Sequence, residues 1–461
     1  MLRRLSKSRI FSSQRICRVA MTVAYLASTC SPAMAGLNNF RNSSVGGISI
    51  DVEGVVGPPS DSGRALLLEL RRKEVKTPQG ALNTPVELRM VSLRALEAAC
   101  EDALKNNLGI MPDEVKFLAG LQRIQYVFVY PEENDIVLAG PGEGWRVNDD
   151  ATVVGVTTGR PVLHLDDFLV AMRTVHEARR GGISVSIDPT AEGTLNLQKL
   201  FSSQRGRPLN PTPQFEVAVK QAFGPQMVTL KGVPETSHFA RVLVAADYRM
   251  KRLAMNLEKS PVRGLGSYVE MIKSSRVAGD VNPRWWMACN YDPMAASDDK
   301  LAWELRGAGV KVMTEDEFVT ADGTVAATGK SSKLAKDWAD NMTEKYDELS
   351  AADPVFGELR NLMDMCVVAA LIEKERLGEV AGCSLPLLTG VSSELALETW
   401  NAAKKIAPEV SFLQIRKAWI VTASGGVQIE SWQVASRAET DPNVTVVRKR
   451  AAPSSKSLWW Q

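Results

Sequence analysis

Two short acidic stretches contain residue types that could perform acid–base chemistry. In HLDDF, Asp166 and Asp167 follow His164, and in MTEDEF the first acidic residue is Glu315. Two carboxylates with pKa values held apart can act as general acid and general base in hydrolysis. Asp166, Asp167 and Glu315 are therefore the catalytic candidates. The simpler interpretations are a helix N-cap for HLDDF, where an aspartate accepts bonds from free backbone amides, and a solvated turn for MTEDEF.

The histidines offer few options for a metal site. The chain has only three, His164, His176 and His238, and a three-imidazole site would need all of them to converge. The dipeptide at His176 and Glu177 begins the metalloprotease pattern HExxH, but residue 180 is arginine. Single histidines more often occupy surface or core positions. We therefore predict neither a metal site nor a bound cofactor.

The stretch GTVAATGKS superficially resembles a phosphate-binding loop. That loop requires GxxxxGK[ST], whereas here five residues separate Gly323 from Gly329. The preceding TEDEFVTAD is also acidic and half polar, unlike the buried strand that precedes such a loop. The pattern instead predicts a turn at Asp322 and Gly323, a short strand, and a helix beginning near Ser332.

The first 35 residues have the composition of an export signal. They contain basic but no acidic side chains, the apolar run VAMTVAYLA, and the stretch SPAMAG with small residues at Ala33 and Ala35. We predict export to the periplasm, the cell envelope or the medium, with cleavage after Ala35. The apolar run is too short for a membrane span. Two alternatives stay open: a short buried helix over residues 19–27, and a lipoprotein acylated at Cys30.

Charge and cysteine content restrict the classes of partner. The chain has 55 basic and 53 acidic side chains, and six of the basic ones lie in the predicted signal, so the remainder has a net charge near −4. The sequence after residue 35 contains no basic stripe that would indicate a nucleic-acid partner. The remaining cysteines, Cys100, Cys289, Cys366 and Cys383, form no CxxC motif, which argues against structural zinc. Whether they form disulfides stays open, because export would permit it.

The helices and strands that must position these residues are predicted to form a mixed α+β fold in two lobes. The periodicities predict helices over 64–73, 84–109, 166–180, 214–222, 247–257 and 353–378. Hairpins are predicted at YVFVY–PEEND–IVLAG and at KAWIVTA–VQIESWQVA. The predicted organisation is a signal peptide (1–35), a flexible segment (36–63), an N-terminal α+β lobe (64–203), a linker (204–213), a C-terminal α+β lobe (214–438) and a basic tail (439–461).

Four phrases resemble a known group of proteins. They are TGRPVLHLDDFLVAMR, PRWWMACNYDPM, LAWELRGAGVKVMTEDEF and KYDELSAADPVFGELRNLMDMCVVAALI, which occur in this order within residues 85–435. The chain is similar in these stretches to a family of secreted planctomycete proteins defined only as a domain of unknown function. The resemblance implies a bacterial envelope protein with a signal peptide. It assigns no activity, ligand or catalytic residue.

Two functional hypotheses follow. The first is an exported, non-catalytic protein that binds an envelope protein or polymer, or has a structural role there, without a transmembrane helix in the mature chain. The second is a hydrolase of envelope or extracellular polymers that uses carboxylates such as Asp166, Asp167 or Glu315. The absence of an intact catalytic motif in the sequence favours the first.

Overall fold

The computed structural model describes residues 47–106, 110–204, 212–275, 282–415, 417–421, 424–451 and 460. The predicted signal peptide, including Cys30, lies outside these residues, as does most of the predicted linker. Within the described ranges the α+β class is confirmed, because long helices pack against two mixed sheets. None of the helices described is long and apolar enough to cross a membrane.

The strands form two large sheets and two small pairs. Their bounds are β1 Ser49–Ile50, β2 Val55–Gly57, β3 Val86–Ser92, β4 Tyr126–Tyr130, β5 Asp135–Gly142, β6 Trp145–Val147, β7 Val153–Gly155, β8 Ile183–Pro189, β9 Gln226–Lys231, β10 Asn282–Asn290, β11 Met294–Ala296, β12 Ala302–Glu304, β13 Gly309–Val319, β14 Val325–Ala327, β15 Lys405–Ile406, β16 Ser411–Ile415, β17 Lys417–Val421, β18 Ser424–Ile429 and β19 Ala438–Thr440.

The larger sheet has nine strands in the order β1-β2-β15-β9-β8-β18-β10-β13-β14. Most neighbouring strands in it are antiparallel, but β18 is parallel to β10 and β15 is parallel to β2. The second sheet has six strands in the order β19-β11-β12-β4-β5-β3. Both sheets combine strands from either side of the predicted linker, so the two predicted lobes share their sheets.

The helices are α1 Asp61–Glu74, α2 Leu93–Asn106, α3 Asp113–Lys116, α4 Leu165–Arg173, α5 Val175–Gly181, α6 Ala191–Ser203, α7 Pro213–Phe223, α8 His238–Ala254, α9 Tyr268–Ser275, α10 Lys333–Glu344, α11 Tyr346–Ala352, α12 Pro354–Lys374, α13 Leu377–Ala381, α14 Pro386–Thr389, α15 Ser431–Ala435 and α16 Pro442–Arg450. Single 3₁₀ turns cover Gly80–Asn83, Leu118–Gly120 and Pro131–Glu133. Helix α12 packs against α4, α8, α11 and α15 and forms the centre of the core.

Helix α12 is buried on every side and not only on the apolar face that its sequence suggests. Pro at its first position and the apolar run that follows explain why it forms. Some of its polar residues bond to neighbouring elements: Asp364 accepts two hydrogen bonds of 2.9 Å from Arg123 and one of 2.6 Å from the Tyr291 hydroxyl. Arg360 donates to Asp347. The polar residues of α12 therefore anchor neighbouring elements to this central helix.

Two sequence predictions of secondary structure are wrong. Residues 86–92, predicted as the first turns of a helix with a capping box at Thr84, form strand β3 and pair with β5. The helix begins later, at Leu93, where the Ser92 hydroxyl accepts a hydrogen bond from the Ala95 amide. The predicted C-terminal hairpin is also wrong, because β17 pairs with β16 whereas β18 lies between β8 and β10.

The described residues nearest the two ends contain more regular structure than their composition suggests. Within the segment predicted to be flexible, β1 and β2 pair and bury Ile48, Ile50 and Val56. Beyond residue 438, β19 pairs with β11, and α16 buries Val444. In both places a few apolar side chains complete a core, which a polar composition does not reveal.

The turn, strand and helix predicted for GTVAATGKS are confirmed. The Gly323 amide donates to the Thr320 carbonyl oxygen, β14 follows, and α10 begins after its N-cap Ser332.

Cys100, Cys289, Cys366 and Cys383 are free thiols.

Candidate functional site

Two helix starts meet beside the central helix α12 and bring three potential ligands together. His164 is the N-cap residue of α4, and Asp167 lies in the first turn of that helix. His238 is the first residue of α8, which packs against both α4 and α12. The three side chains are separated by up to 74 positions in sequence, yet their potential ligand atoms all lie within 4.8 Å of one another.

Local backbone bonds fix both helix starts. The extended Ser237 is the N-cap of α8, and its hydroxyl accepts a hydrogen bond of 3.1 Å from the Ala240 amide. Before α4, the Leu163 amide donates to the Leu121 carbonyl oxygen over 2.7 Å, and the Asn361 side chain donates to the Pro161 carbonyl oxygen. His164 and His238 are therefore attached to well-anchored backbone.

An ion pair and a ring stack connect the three side chains. Nδ1 of His238 lies 2.9 Å from Oδ2 and 3.1 Å from Oδ1 of Asp167. The rings of His164 and His238 are parallel within 2°, with their centroids 5.0 Å apart. Nε2 of His164 is buried and has no hydrogen-bond partner in the described part of the chain. The cluster thus contains one imidazole that is paired through Nδ1 and one whose buried Nε2 has no partner among the described residues.

The surroundings shift the pKa values of the two histidines in opposite directions. Burial alone lowers the pKa of His238, but the Asp167 carboxylate outweighs this effect and raises the pKa to about 9. Burial and the neighbouring His238 hold the pKa of His164 well below its usual value. At neutral pH, His238 is therefore a cation paired with Asp167, and His164 is neutral.

Further charged groups surround this cluster. Burial raises the pKa of Glu358, on α12, to about 7, although the nearby His238 opposes the shift. The Glu358 Oε2 atom is buried and has no partner among the described residues. The guanidinium carbons of Arg241 and Arg71 lie 5.6 and 6.0 Å from the centroid of the Trp400 ring. Both acidic and basic groups thus contribute to the local field.

Asp166 faces away from its neighbour Asp167. Consecutive helical residues point about 100° apart, and the Asp166 carboxylate accepts a hydrogen bond of 3.1 Å from the Glu398 amide. Burial raises the pKa of Asp166 to about 6. Neither aspartate is the N-cap that the sequence suggested, because His164 occupies that position.

Glu315 lies on β13, in another part of the fold. Its carboxylate accepts a hydrogen bond of 2.8 Å from the Gly329 amide, just after β14. Within the described residues, no hydrogen bond or ion pair joins Glu315 to Asp166 or Asp167. Asp166 and Asp167 thus lie at the start of α4 and Glu315 lies on a strand, and the role of all three in catalysis stays a prediction.

His176 does not join the other histidines. It lies on α5 with its side chain 68% exposed, and its Nε2 is 3.7 Å from Glu373. The spacing of His164 and Asp167, three residues apart at a helix start, places them on one face and was visible in the sequence. His238 was missed because the predicted helix began only at Asp247, nine residues after the observed start of α8.

One family model matches part of the chain. It is described as a protein of unknown function (DUF1598) and matches residues 185–268, a segment that runs from β8 into α9 and contains His238. No curated protein and no solved structure matches. The resemblance to a family of unknown function is confirmed over this segment, whereas the planctomycete origin and the secretion that it implied stay predictions.

Proposed function

We propose that this is an exported protein of the periplasm or cell envelope whose role is to bind a partner or to provide structure, and not to catalyse a reaction. The observation that supports this most is the engagement of every predicted catalytic carboxylate. Asp167 is paired with His238, whereas Asp166 and Glu315 accept hydrogen bonds from backbone amides. General acid–base catalysis needs two carboxylates that face a shared substrate position, and the engagement of all three in other contacts argues against that role.

The export part of the proposal rests on residues 1–35, where basic residues, an apolar run and small residues follow in the order of a cleavable signal. The partner is an envelope protein or an envelope polymer. A nucleic-acid partner does not fit, because the chain after Ala35 has a net charge near −4 and no basic stripe.

The test is fractionation of the native host, with mass spectrometry of the N-terminus and of proteins or polymer fragments recovered after mild crosslinking. A chain beginning at Gly36, with reproducible envelope partners, is the expected result. The matched control replaces both small residues of the cleavage site, A33L together with A35L, which should leave the chain uncleaved. A chain beginning at an acylated Cys30 would identify a tethered lipoprotein, and an uncut cytoplasmic wild-type chain would contradict export.

One observation favours a carboxylate-dependent hydrolase as the second candidate. Burial raises the pKa of Asp166 to about 6, near the value that suits a general acid at neutral pH. If Asp166 is that acid, Asp166→Asn abolishes release of soluble fragments from purified envelope polysaccharide or peptidoglycan and hardly changes thermal unfolding. Glu315→Gln is the control. Wild-type protein that releases no fragments from either polymer would remove this candidate.

A further inference from the structure

We propose that His164, Asp167 and His238 form a binding site for one divalent transition-metal ion. Two imidazole nitrogens and a carboxylate oxygen within 4.8 Å of one another are a donor set that zinc and neighbouring first-row metals prefer. The inference goes beyond the proposed role, because such a site fits a binding, a structural or a catalytic protein equally well.

The unused nitrogen of His164 is the first reason for this assignment. A buried polar atom is usually hydrogen-bonded, because losing water without a new partner costs free energy. Nε2 of His164 is buried without a partner in the described part of the chain, and its ring lies against His238. A neutral imidazole whose Nε2 is unprotonated offers a lone pair, and a metal ion would satisfy it.

The distances are the second reason. Zinc binds nitrogen and oxygen ligands at about 2.0 to 2.2 Å, so two such ligands of one ion lie roughly 3 to 3.5 Å apart. His238 Nδ1 and the Asp167 oxygens, at 2.9 and 3.1 Å, are already at this spacing. His164 needs a change of its side-chain torsions to bring its nitrogen equally close.

Charge balance is compatible with a cation at this position. The ion would take the place of the proton that His238 shares with Asp167, so the positive charge of the cluster rises by one and not by two. Glu358, buried on α12, interacts with both His238 and Asp167 and adds a negative charge when it is ionised. Arg71 opposes the cation, which makes its charge a means of tuning the affinity of the site.

The direct test is isothermal titration calorimetry, in which Zn²⁺ is added to the purified, chelator-treated full chain. We expect one Zn²⁺ to bind per wild-type chain. His164→Ala should weaken that binding by at least about tenfold, the lower range found when even a supporting residue of a metal site is lost. Co²⁺ provides a second readout, because its visible absorption reports the ligand geometry, and this absorption should be lost in His164→Ala.

The matched control is His176→Ala, which removes the exposed imidazole beside Glu373 and should bind Zn²⁺ like the wild type. His164 is the preferred ligand to change, since its Nε2 makes no hydrogen bond to any residue that the structure describes. His164→Gln is a second variant that keeps more of the side-chain volume. Thermal unfolding in chelator checks that both His164 variants are folded. No binding by the wild type, equal binding by the folded His164 variants, or loss of binding in His176→Ala would overturn the proposal.

Arg71→Gln tests the same site by a change that should strengthen Zn²⁺ binding. Its charge interacts with His164, His238 and Glu358. Removing this charge should tighten Zn²⁺ binding several-fold, because a like charge disfavours the bound cation. Arg72→Gln, on the same helix but paired with the exposed Asp149, is the control and should leave the affinity unchanged. Equal affinities for Arg71→Gln and Arg72→Gln would show that the ion binds away from this cluster.

Discussion

The two acidic stretches HLDDF and MTEDEF are similar in composition but lie in different environments. Asp167 of the first is 4% exposed and is held by a buried imidazole at the junction of α4, α8 and α12. Glu315 of the second is only half-buried near the sheet edge and accepts one hydrogen bond from the backbone. Similar acidic composition therefore leads to different structural roles: Asp167 lies in a buried ion pair between helices, whereas Glu315 lies on strand β13 and not in the solvated turn that the sequence suggested.

The largest expected difference between the two regions is in stability. Asp167→Ala leaves the charge of His238 buried without its counter-ion, and breaking a buried pair in this way typically costs about 3 to 5 kcal/mol. Urea unfolding at pH 7 in chelator measures this free energy. A cost below that of the Glu315 substitution described below would contradict the comparison.

Another buried acid, Asp247 on α8, tests whether burial determines how much a carboxyl group contributes to stability. Asp247 pairs with Lys251 over 3.0 Å, and burial raises the pKa of Asp247 to about 6. A carboxyl group whose pKa is raised on folding favours the native state below its unfolded pKa and loses that contribution as the pH rises through its folded pKa. The free energy of unfolding of the wild type, relative to Asp247→Asn, should therefore fall by about 2 kcal/mol between pH 4 and pH 7.

Urea unfolding of both proteins at several pH values gives this difference directly. Comparing the two proteins at each pH cancels the titration of carboxyl groups that they share. A difference that stays constant, or rises with pH, would show that Lys251 compensates the burial of Asp247 completely.

The close approach of α12 to the loop before His164 predicts an intermediate effect. A Cβ atom at Gly357 would lie 2.7 Å from both Pro161 Cδ and the Ser350 carbonyl oxygen. Gly357→Ala should therefore cost about 1 to 3 kcal/mol through overpacking, although alanine favours helices. Thermal unfolding measures the loss. The control is Gly181→Ala, also helical, where a Cβ meets no atom within 4 Å and the stability should be equal or higher.

The smallest effect is expected at the sheet edge. Glu315→Ala removes one partly exposed hydrogen bond to Gly329, which is worth about 1 kcal/mol or less. Urea unfolding should show a correspondingly small loss. A loss as large as that of Asp167→Ala would mean that the two acidic regions are energetically equivalent.

Elements that depend on local sequence were predictable. The β4–β5 hairpin and helix α12 follow from short-range alternation, turn residues and a proline at the helix start. Strand β3 was not predictable, because Thr84, Pro85 and Glu87 form the sequence pattern of a capping box. Only the pairing with β5, which is distant in sequence, selects the strand. Strand β18 was mispaired for the same reason: its partners β8 and β10 are far from it in sequence.

The candidate site was half predictable. His164 and Asp167 share one helix face, and both belong to the stretch singled out for its chemistry. The third member, His238, lies 71 residues beyond Asp167 on another helix. Its arrival at this place depends on how α4 and α8 pack around α12, and no local pattern contains that information.

The most direct test of the buried site is anomalous X-ray diffraction at the zinc absorption edge, from crystals of the full chain grown with Zn²⁺. We expect a single strong peak between His164, Asp167 and His238, about 2.0 to 2.2 Å from a donor atom of each. No peak in this cluster, or a peak only at the exposed His176 and Glu373, would contradict it.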